Sequence, residues 1–310
     1  MKSFKKHYIV AIALLSCMVG LAQQLPQFTQ YMYNTISINP AYAGSRETLS
    51  VVGLHRSQWV GFDGGPTTQT LSVHSPLNNE KVGLGLSFIN DKLGDQRFSY
   101  LYGNFSYTIN TGEKTKLALG LSAGFTSYTF DRIAADAPGT DPSVYGVEDR
   151  WSPNIGAGLY WHTYKWYLGL SAPRILNTNY NRENANGQDY EALERISYYF
   201  TGGYVFTLSQ NTKLKPAFLV KGTNGAPLSY DITANFLFYE KFWIGGSYRL
   251  NESTAAFGVI ADFQVSKQLR IGYAYEYPLS DINSYTGGTH EILLMFEVFK
   301  EKRIKSPRYF

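Results

Sequence analysis

Between residues 116 and 128 the chain alternates strictly. Leu117, Leu119, Leu121, Ala123 and Phe125 are separated by Ala118, Gly120, Ser122, Gly124 and Thr126. Successive side chains of a strand point to opposite faces, so this run has one greasy face and one small, polar face. The same period of two recurs along the chain. Val82, Leu84, Leu86 and Phe88 interleave with Gly83, Gly85 and Ser87; Ile155, Ala157, Leu159 and Trp161 with Gly156 and Gly158. Phe257, Val259, Ala261 and Phe263 enclose Gly258 and Asp262, and Leu269, Ile271, Tyr273 and Tyr275 enclose Arg270 and Gly272, with Glu276 following. In all, about fourteen segments read this way, at 48–59, 67–76, 81–91, 99–110, 116–128, 153–161, 164–171, 198–208, 212–221, 229–239, 242–250, 254–265, 269–277 and 288–299. Each is close to the ~9–11 residues that a tilted membrane strand needs. The first two alternate least regularly.

The connections alternate as well. Short turns fall at 77–80, 111–115, 162–163, 209–211, 240–241 and 266–268, and longer loops at 61–66, 92–98, 129–152, 172–197, 222–228 and 278–287. The short connection 251–253 is the exception on the long-loop side. Short periplasmic turns facing longer external loops are the habit of bacterial outer-membrane barrels, and this pattern predicts both chain ends in the periplasm. A soluble sandwich would turn charges to water on its open face. Here the polar face is mostly Gly, Ser, Thr and Asn, and aromatics such as Tyr107, Trp161, Trp166, Phe242, Tyr275 and Tyr277 gather at strand ends, as interfacial girdles do. The expected fold is all-β, an antiparallel transmembrane β-barrel of about fourteen strands spanning 48–299, of outer-membrane type.

Composition agrees. Tyr (25), Phe (19) and Gly (29) are abundant, and the mean hydropathy of −0.23 is too polar for a helical membrane protein. Residues 1–22 read as an export signal: Lys2, Lys5 and Lys6, an apolar run over 8–19, then Gly20-Leu21-Ala22 before a cut at Gln23. Cys17 is the only cysteine; Leu14-Leu15-Ser16-Cys17 loosely resembles a lipidation box, with Leu15 a poor fit. Cleavage after Ala22 leaves no thiol. Residues 23–47 then form a periplasmic or lumenal segment, and 300–310 a basic periplasmic tail with Lys300, Lys302, Arg303, Lys305 and Arg308. The body between is slightly acidic, which argues against a nucleic-acid partner.

Little points to catalysis, and no cofactor is expected. His55, His74, His162 and His290 show no metal-ligand spacing. A rim hydrolase could be assembled from His55 and Ser57 with Asp63, or from His74 and Ser75, if their side chains met. Asp136, Asp141, Glu148 and Asp149 share one loop and could attract calcium, although their spacing fits no standard loop. Asp231, Arg249, Asp262, Arg270, Glu276 and Glu291 fall on the lumen side, where they either line a pore or pair and close it.

One stretch fits no strand: Gln30-Tyr31-Met32-Tyr33-Asn34, then Asn39-Pro40-Ala41-Tyr42-Ala43-Gly44-Ser45. It is followed by Arg56-Ser57-Gln58-Trp59-Val60-Gly61-Phe62-Asp63-Gly64-Gly65-Pro66. With Asn90-Asp91-Lys92-Leu93-Gly94 and the closing Ser306-Pro307-Arg308-Tyr309-Phe310, these residues resemble the PorP/SprF family of Bacteroidetes outer-membrane proteins. The resemblance implies a non-enzymatic accessory of type IX secretion that keeps cargo such as adhesins at the cell surface. It also implies links to gliding motility and to periplasmic ring components. The family brings no catalytic residues. Asn39-Pro40 and Ala43-Gly44 are turn signals, and the segment is expected to plug the lumen, line its periplasmic mouth or cap the barrel. A small-solute channel is the alternative reading.

Overall fold

The structure, a computed structural model, describes residues 26–77, 80–130, 150–179, 193–251 and 255–299. Every expected strand is present. They are β1 (Leu49–Ser57), β2 (Thr67–Pro76), β3 (Val82–Leu93), β4 (Gln96–Asn110), β5 (Lys116–Phe130), β6 (Arg150–His162) and β7 (Trp166–Ala172). The second half holds β8 (Ser197–Tyr204, continued by Phe206–Thr207), β9 (Thr212–Thr223), β10 (Ser229–Phe238), β11 (Phe242–Leu250), β12 (Ala256–Gln264), β13 (Leu269–Pro278) and β14 (Thr289–Val298). Each strand pairs antiparallel with its sequence neighbour, and β14 returns to β1 from Leu49↔Val298 to Ser57↔His290. The sheet closes into a fourteen-stranded barrel, so among the described residues no barrel strand presents an edge to the bilayer.

The period of two fixes which residues face out. In β5 the Leu117–Phe125 series faces outward; Leu121 is 61% exposed, Phe125 51%, while Ala118, Gly120 and Ser122 line the inside. Ile155, Leu170, Ile232 and Leu294 continue the same belt around the barrel. This outer apolar surface suits the hydrocarbon of a membrane. Tyr107, Trp161, Trp166 and Phe242 lie at the short-turn end of the belt, with the rings of Trp161 and Trp166 edge-to-face at 4.9 Å; Tyr275 and Tyr277 lie at the other end. Leu121→Arg, which puts a charge on the lipid face, is expected to reduce stability by about 2–4 kcal/mol. The check is the urea midpoint of the variant folded into lipid vesicles.

Three local expectations change. The loop expected at 92–98 is a tight turn, Gly94-Asp95, between strands that run on to Leu93 and from Gln96. Gly94 takes φ +56°, which lets two residues close the hairpin. Lys92 and Leu93, expected in the loop, are ladder residues paired with Arg97 and Gln96. Second, β6 starts at Arg150 rather than 153. Third, the described amino-terminal residues do not lie at the short-turn end with Val298. Pro26 and Gln27 sit in the long-loop half of the lumen, beside Ser229 and Asp231 at the start of β10. The signal, Asp136, Asp141, Glu148, Asp149 and the tail from Lys300 on lie outside the described residues.

Candidate functional site: the filled lumen

Residues 26–48 run down the inside of the barrel. Two short 3₁₀ turns shape them, and both have local causes. At Thr35–Ser37 the Ser37 hydroxyl donates to the Asn34 carbonyl at 2.7 Å, and the Thr35 hydroxyl donates back to Tyr31 at 3.2 Å. At Pro40–Tyr42 the Asn39 side chain accepts from the Ala41 N–H at 3.0 Å, and proline fills the first position, where no N–H donor is needed. Gly44 at φ +74° then turns the chain toward β1; a Cβ there would lie 2.8 Å from the Gly83 backbone.

The lumen wall is cut to fit this path. A Cβ on Gly120 would lie 2.1 Å from the Ala41 nitrogen, and one on Gly83 2.1 Å from the Ala43 carbonyl oxygen. Gly85 makes room for Ile36 and Gly158 for the Asn39 amide. Gly83, Gly85, Gly120 and Gly158, which interleave the apolar residues of their strands, are therefore cradle positions, and the middle of the segment is deeply buried. Gln30, Met32, Ala41 and Tyr42 are each at or below 1% exposure.

Polar contacts fasten the segment along its length. At the long-loop end the Thr29 and Gln30 N–H groups donate to the two oxygens of Glu291 at 2.7 and 3.0 Å, and the Thr29 hydroxyl donates to Glu276 at 2.5 Å. Arg56 spans both carboxylates, 2.7 Å from Glu276 and 2.5 Å from Glu291. Arg249 joins Asp231 at 2.7 Å and Glu276 at 3.4 Å. Lower down, the Tyr33 hydroxyl donates to Asp262 at 2.7 Å, with the Arg270 guanidinium 5.2 Å from the ring centroid. Asn34 bridges Thr70 and Ser72 of β2, at 2.9 and 3.0 Å. The Asn39 amide donates to the Leu159 carbonyl at 2.9 Å. The Ser171 and Ser106 hydroxyls donate to the carbonyls of Ile38 and Ala43, at 2.7 and 2.6 Å. At the short-turn end the Gly44 N–H donates to His74 Nδ1 at 3.1 Å, and Arg46 pairs with Glu297 at 2.7 Å.

The long-loop end is partly roofed by the chain after β7. Arg174 turns inward over the Tyr100 ring, 4.2 Å from its centroid, and pairs with Glu194 at 3.1 Å. The Asn154 side chain holds this turn through the Ile175 and Leu176 N–H groups, at 3.0 and 2.9 Å.

The motif residues separate into two places. Gln30, Tyr31, Met32, Tyr33, Asn34, Asn39, Pro40, Ala41, Tyr42, Ala43, Gly44 and Arg56 are in the lumen. Gln58, Trp59 and Gly61 belong to the loop 58–66 above it. That loop is fixed to its neighbour: the Trp59 N–H donates to the Thr289 hydroxyl at 3.3 Å and the Val60 N–H to the Gly288 carbonyl at 2.8 Å. Trp59 and Gly61 both take positive φ, +55° and +91°.

The hydrolase pairings do not form a site. His55 and Ser57 touch at 3.0 Å, but both face out of the barrel. His74 and Ser75 fall on opposite faces of β2; His74 is buried against Tyr42 and Gly44, while Ser75 Oγ donates to the Pro76 carbonyl. The lumen charges pair instead of lining an open bore: Arg249 with Asp231 and Glu276, Arg56 with Glu276 and Glu291, and Arg270 with Asp262 at 3.6 Å. Glu297, Ser106, Ser171 and Gly120 of the wall also hold the segment, and their only sequence signal is an inward position in the period of two. Thr29 and Arg46, which reach out from the segment itself, carried no such signal.

Solved outer-membrane barrels share the architecture. The CymD monoaromatic hydrocarbon channel superposes with TM-score 0.52 at 13% identity, over 92% of this chain and 96% of its own. The toluene transporter TbuX of Ralstonia pickettii does so with TM-score 0.51 at 12% identity, over 85% of this chain and 92% of its own. At such identities the likeness is one of fold. No curated protein matches the chain. The sequence model of the type IX secretion system membrane protein PorP/SprF matches residues 20–296. The chain therefore belongs to the PorP/SprF family of type IX secretion system membrane proteins, a closed β-barrel of the outer membrane.

Proposed function

We propose that this barrel is a non-catalytic scaffold of type IX secretion. It holds a secreted protein such as an adhesin at the cell surface, with a periplasmic contact to ring components and, in a motile cell, a part in gliding. The observation that carries this reading is the filled lumen. A bore of fourteen strands has room for a plug or a narrow channel. Here residues 26–48 occupy it and are bonded to the wall at both ends. Tyr31, Met32, Tyr33 and Tyr42 lie buried across the bore, where a solute path would have to run. A protein built to dock others gains rigidity, because the segment ties distant strands together and leaves both rims to partners. The contacts of the lumenal motif residues support a plug role for them, and Gln58, Trp59 and Gly61 belong to the rim.

Deleting the gene is expected to leave the cargo made but lost from the surface into the medium, with cell envelope and growth intact. Surface labelling of secreted proteins on whole cells checks this. Unchanged labelling of every secreted adhesin would sink the proposal. The channel reading, in which this barrel would pass small molecules as the CymD channel and the TbuX transporter do, requires a conducting lumen and is tested by the bilayer recordings described below.

A further inference from the structure

We infer that the amino terminus of the mature chain is presented at the cell-surface end of its own barrel. The lumenal segment has a direction. Its last residues are at the short-turn end: the Gly44 N–H is on His74, Arg46 on Glu297, and Lys116 on Glu47 at 2.6 Å. Its first described residues are at the opposite end. The Gln27 amide donates to Ser229 at 3.0 Å and to Asp231 at 2.6 Å, and Ser229 opens β10 on the long-loop side. Thr29 and Gln30 bind Glu291, the third residue of β14, which also starts there. Bacterial barrels turn their short connections to the periplasm and their longer loops outward. The segment therefore descends from the surface side to the periplasmic side before β1 rises again.

The distance available fixes where the terminus stays. With cleavage after Ala22, the residues before Gln27 are Gln23, Gln24, Leu25 and Pro26. Fully extended, four residues reach at most about 14 Å. The hydrocarbon layer is ~30 Å thick, so they cannot return to the periplasm. The route back through the lumen is filled by Phe28, Tyr31 and Met32, each at or below 3% exposure. The terminus thus stays on the long-loop side, the side of the barrel on which loop 58–66 exposes Val60 and Phe62. A protein arriving at the surface face meets the amino-terminal residues of the barrel together with its loops. This inference rests on the path of the chain and stands whether or not cargo is retained.

The test is cysteine accessibility in whole cells. Cys17 lies in the cleaved segment, so a Gln24→Cys change introduces the one thiol of the mature chain. A membrane-impermeant maleimide is expected to label the Gln24→Cys protein in intact cells. A Lys267→Cys control, exposed in the turn after β12, is expected to react only once the outer membrane is permeabilised. If the Gln24→Cys protein reacts only after permeabilisation, or only after denaturation, the inference is overturned. An epitope inserted between Gln24 and Leu25 and detected by antibody on intact cells gives a second reading should the cysteine variant fail to fold. An intact mass retaining residues 1–22 also overturns it.

Discussion

Arg56→Ala is expected to lower the stability of the folded barrel by about 3–5 kcal/mol, the range for breaking a buried ion pair by removing one partner. Arg56 is 2% exposed, and its guanidinium lies between Glu276 and Glu291, whose side chains are 5% and 1% exposed. Without it two carboxylates remain buried, with Arg249, 3.4 Å from Glu276, as the ion-pair partner left to them among the described residues. Glu276 also holds the Thr29 hydroxyl, and Glu291 the Thr29 and Gln30 N–H groups, so the start of the lumenal segment loosens with them. Arg56→Lys is expected to recover only part of the loss, because a single ammonium cannot fork across two carboxylates. The measurement is the urea midpoint of the heat-modifiable folded band. A midpoint unchanged in Arg56→Ala would mean that the network carries no stability.

Gly120→Leu is expected to expel the Pro40–Tyr42 turn and open the lumen. The added Cβ would meet Ala41 nitrogen at 2.1 Å and Ala41 Cα at 2.3 Å. Both are backbone atoms, which cannot move aside as a side-chain tip can. Overpacking of this kind reduces stability by about 1–3 kcal/mol where the surroundings yield. Here the part that can yield is the segment, since β4, β5 and β6 stay paired through their ladders without it. Gly103→Ala is the matched control, because the nearest atom to its new Cβ is at 3.7 Å. In planar bilayers the parent and Gly103→Ala barrels are expected to be electrically silent, and the Gly120→Leu barrel to conduct in discrete steps. Stepwise conduction by the parent itself would support the channel reading.

The barrel was legible in the sequence because its main rule is local. Leu117 to Phe125 declares two faces without reference to any distant residue, and a lipid-facing strand has to obey that alternation along its length. Loop 92–98 misled for the opposite reason. Lys92, Asp95, Gln96 and Arg97 look like loop residues, but a strand that rises past the bilayer can carry polar side chains and still pair, as Lys92 does with Arg97. The contents of the lumen were legible only in part. The turn at Asn39-Pro40-Ala41 is a local cap and could be read. The path that binds Thr29 to Glu276, across 247 positions of sequence, could not be. His74 illustrates the same limit. Beside Ser75 it suggested catalysis, yet the period of two sends the two side chains to opposite faces, and His74 meets a glycine thirty positions earlier in the chain. Inward charges such as Glu276 and Arg249 announced themselves by position, whereas their pairing depends on barrel closure.

The most direct test of the scaffold reading is affinity purification of the tagged full-length barrel from detergent-solubilised outer membranes, with mass spectrometry of what accompanies it. A large secreted protein is expected in the eluate, with or without periplasmic ring components, and is expected to be missing from a mock purification. A barrel that elutes without either, from cells shown to be secreting, would contradict that reading.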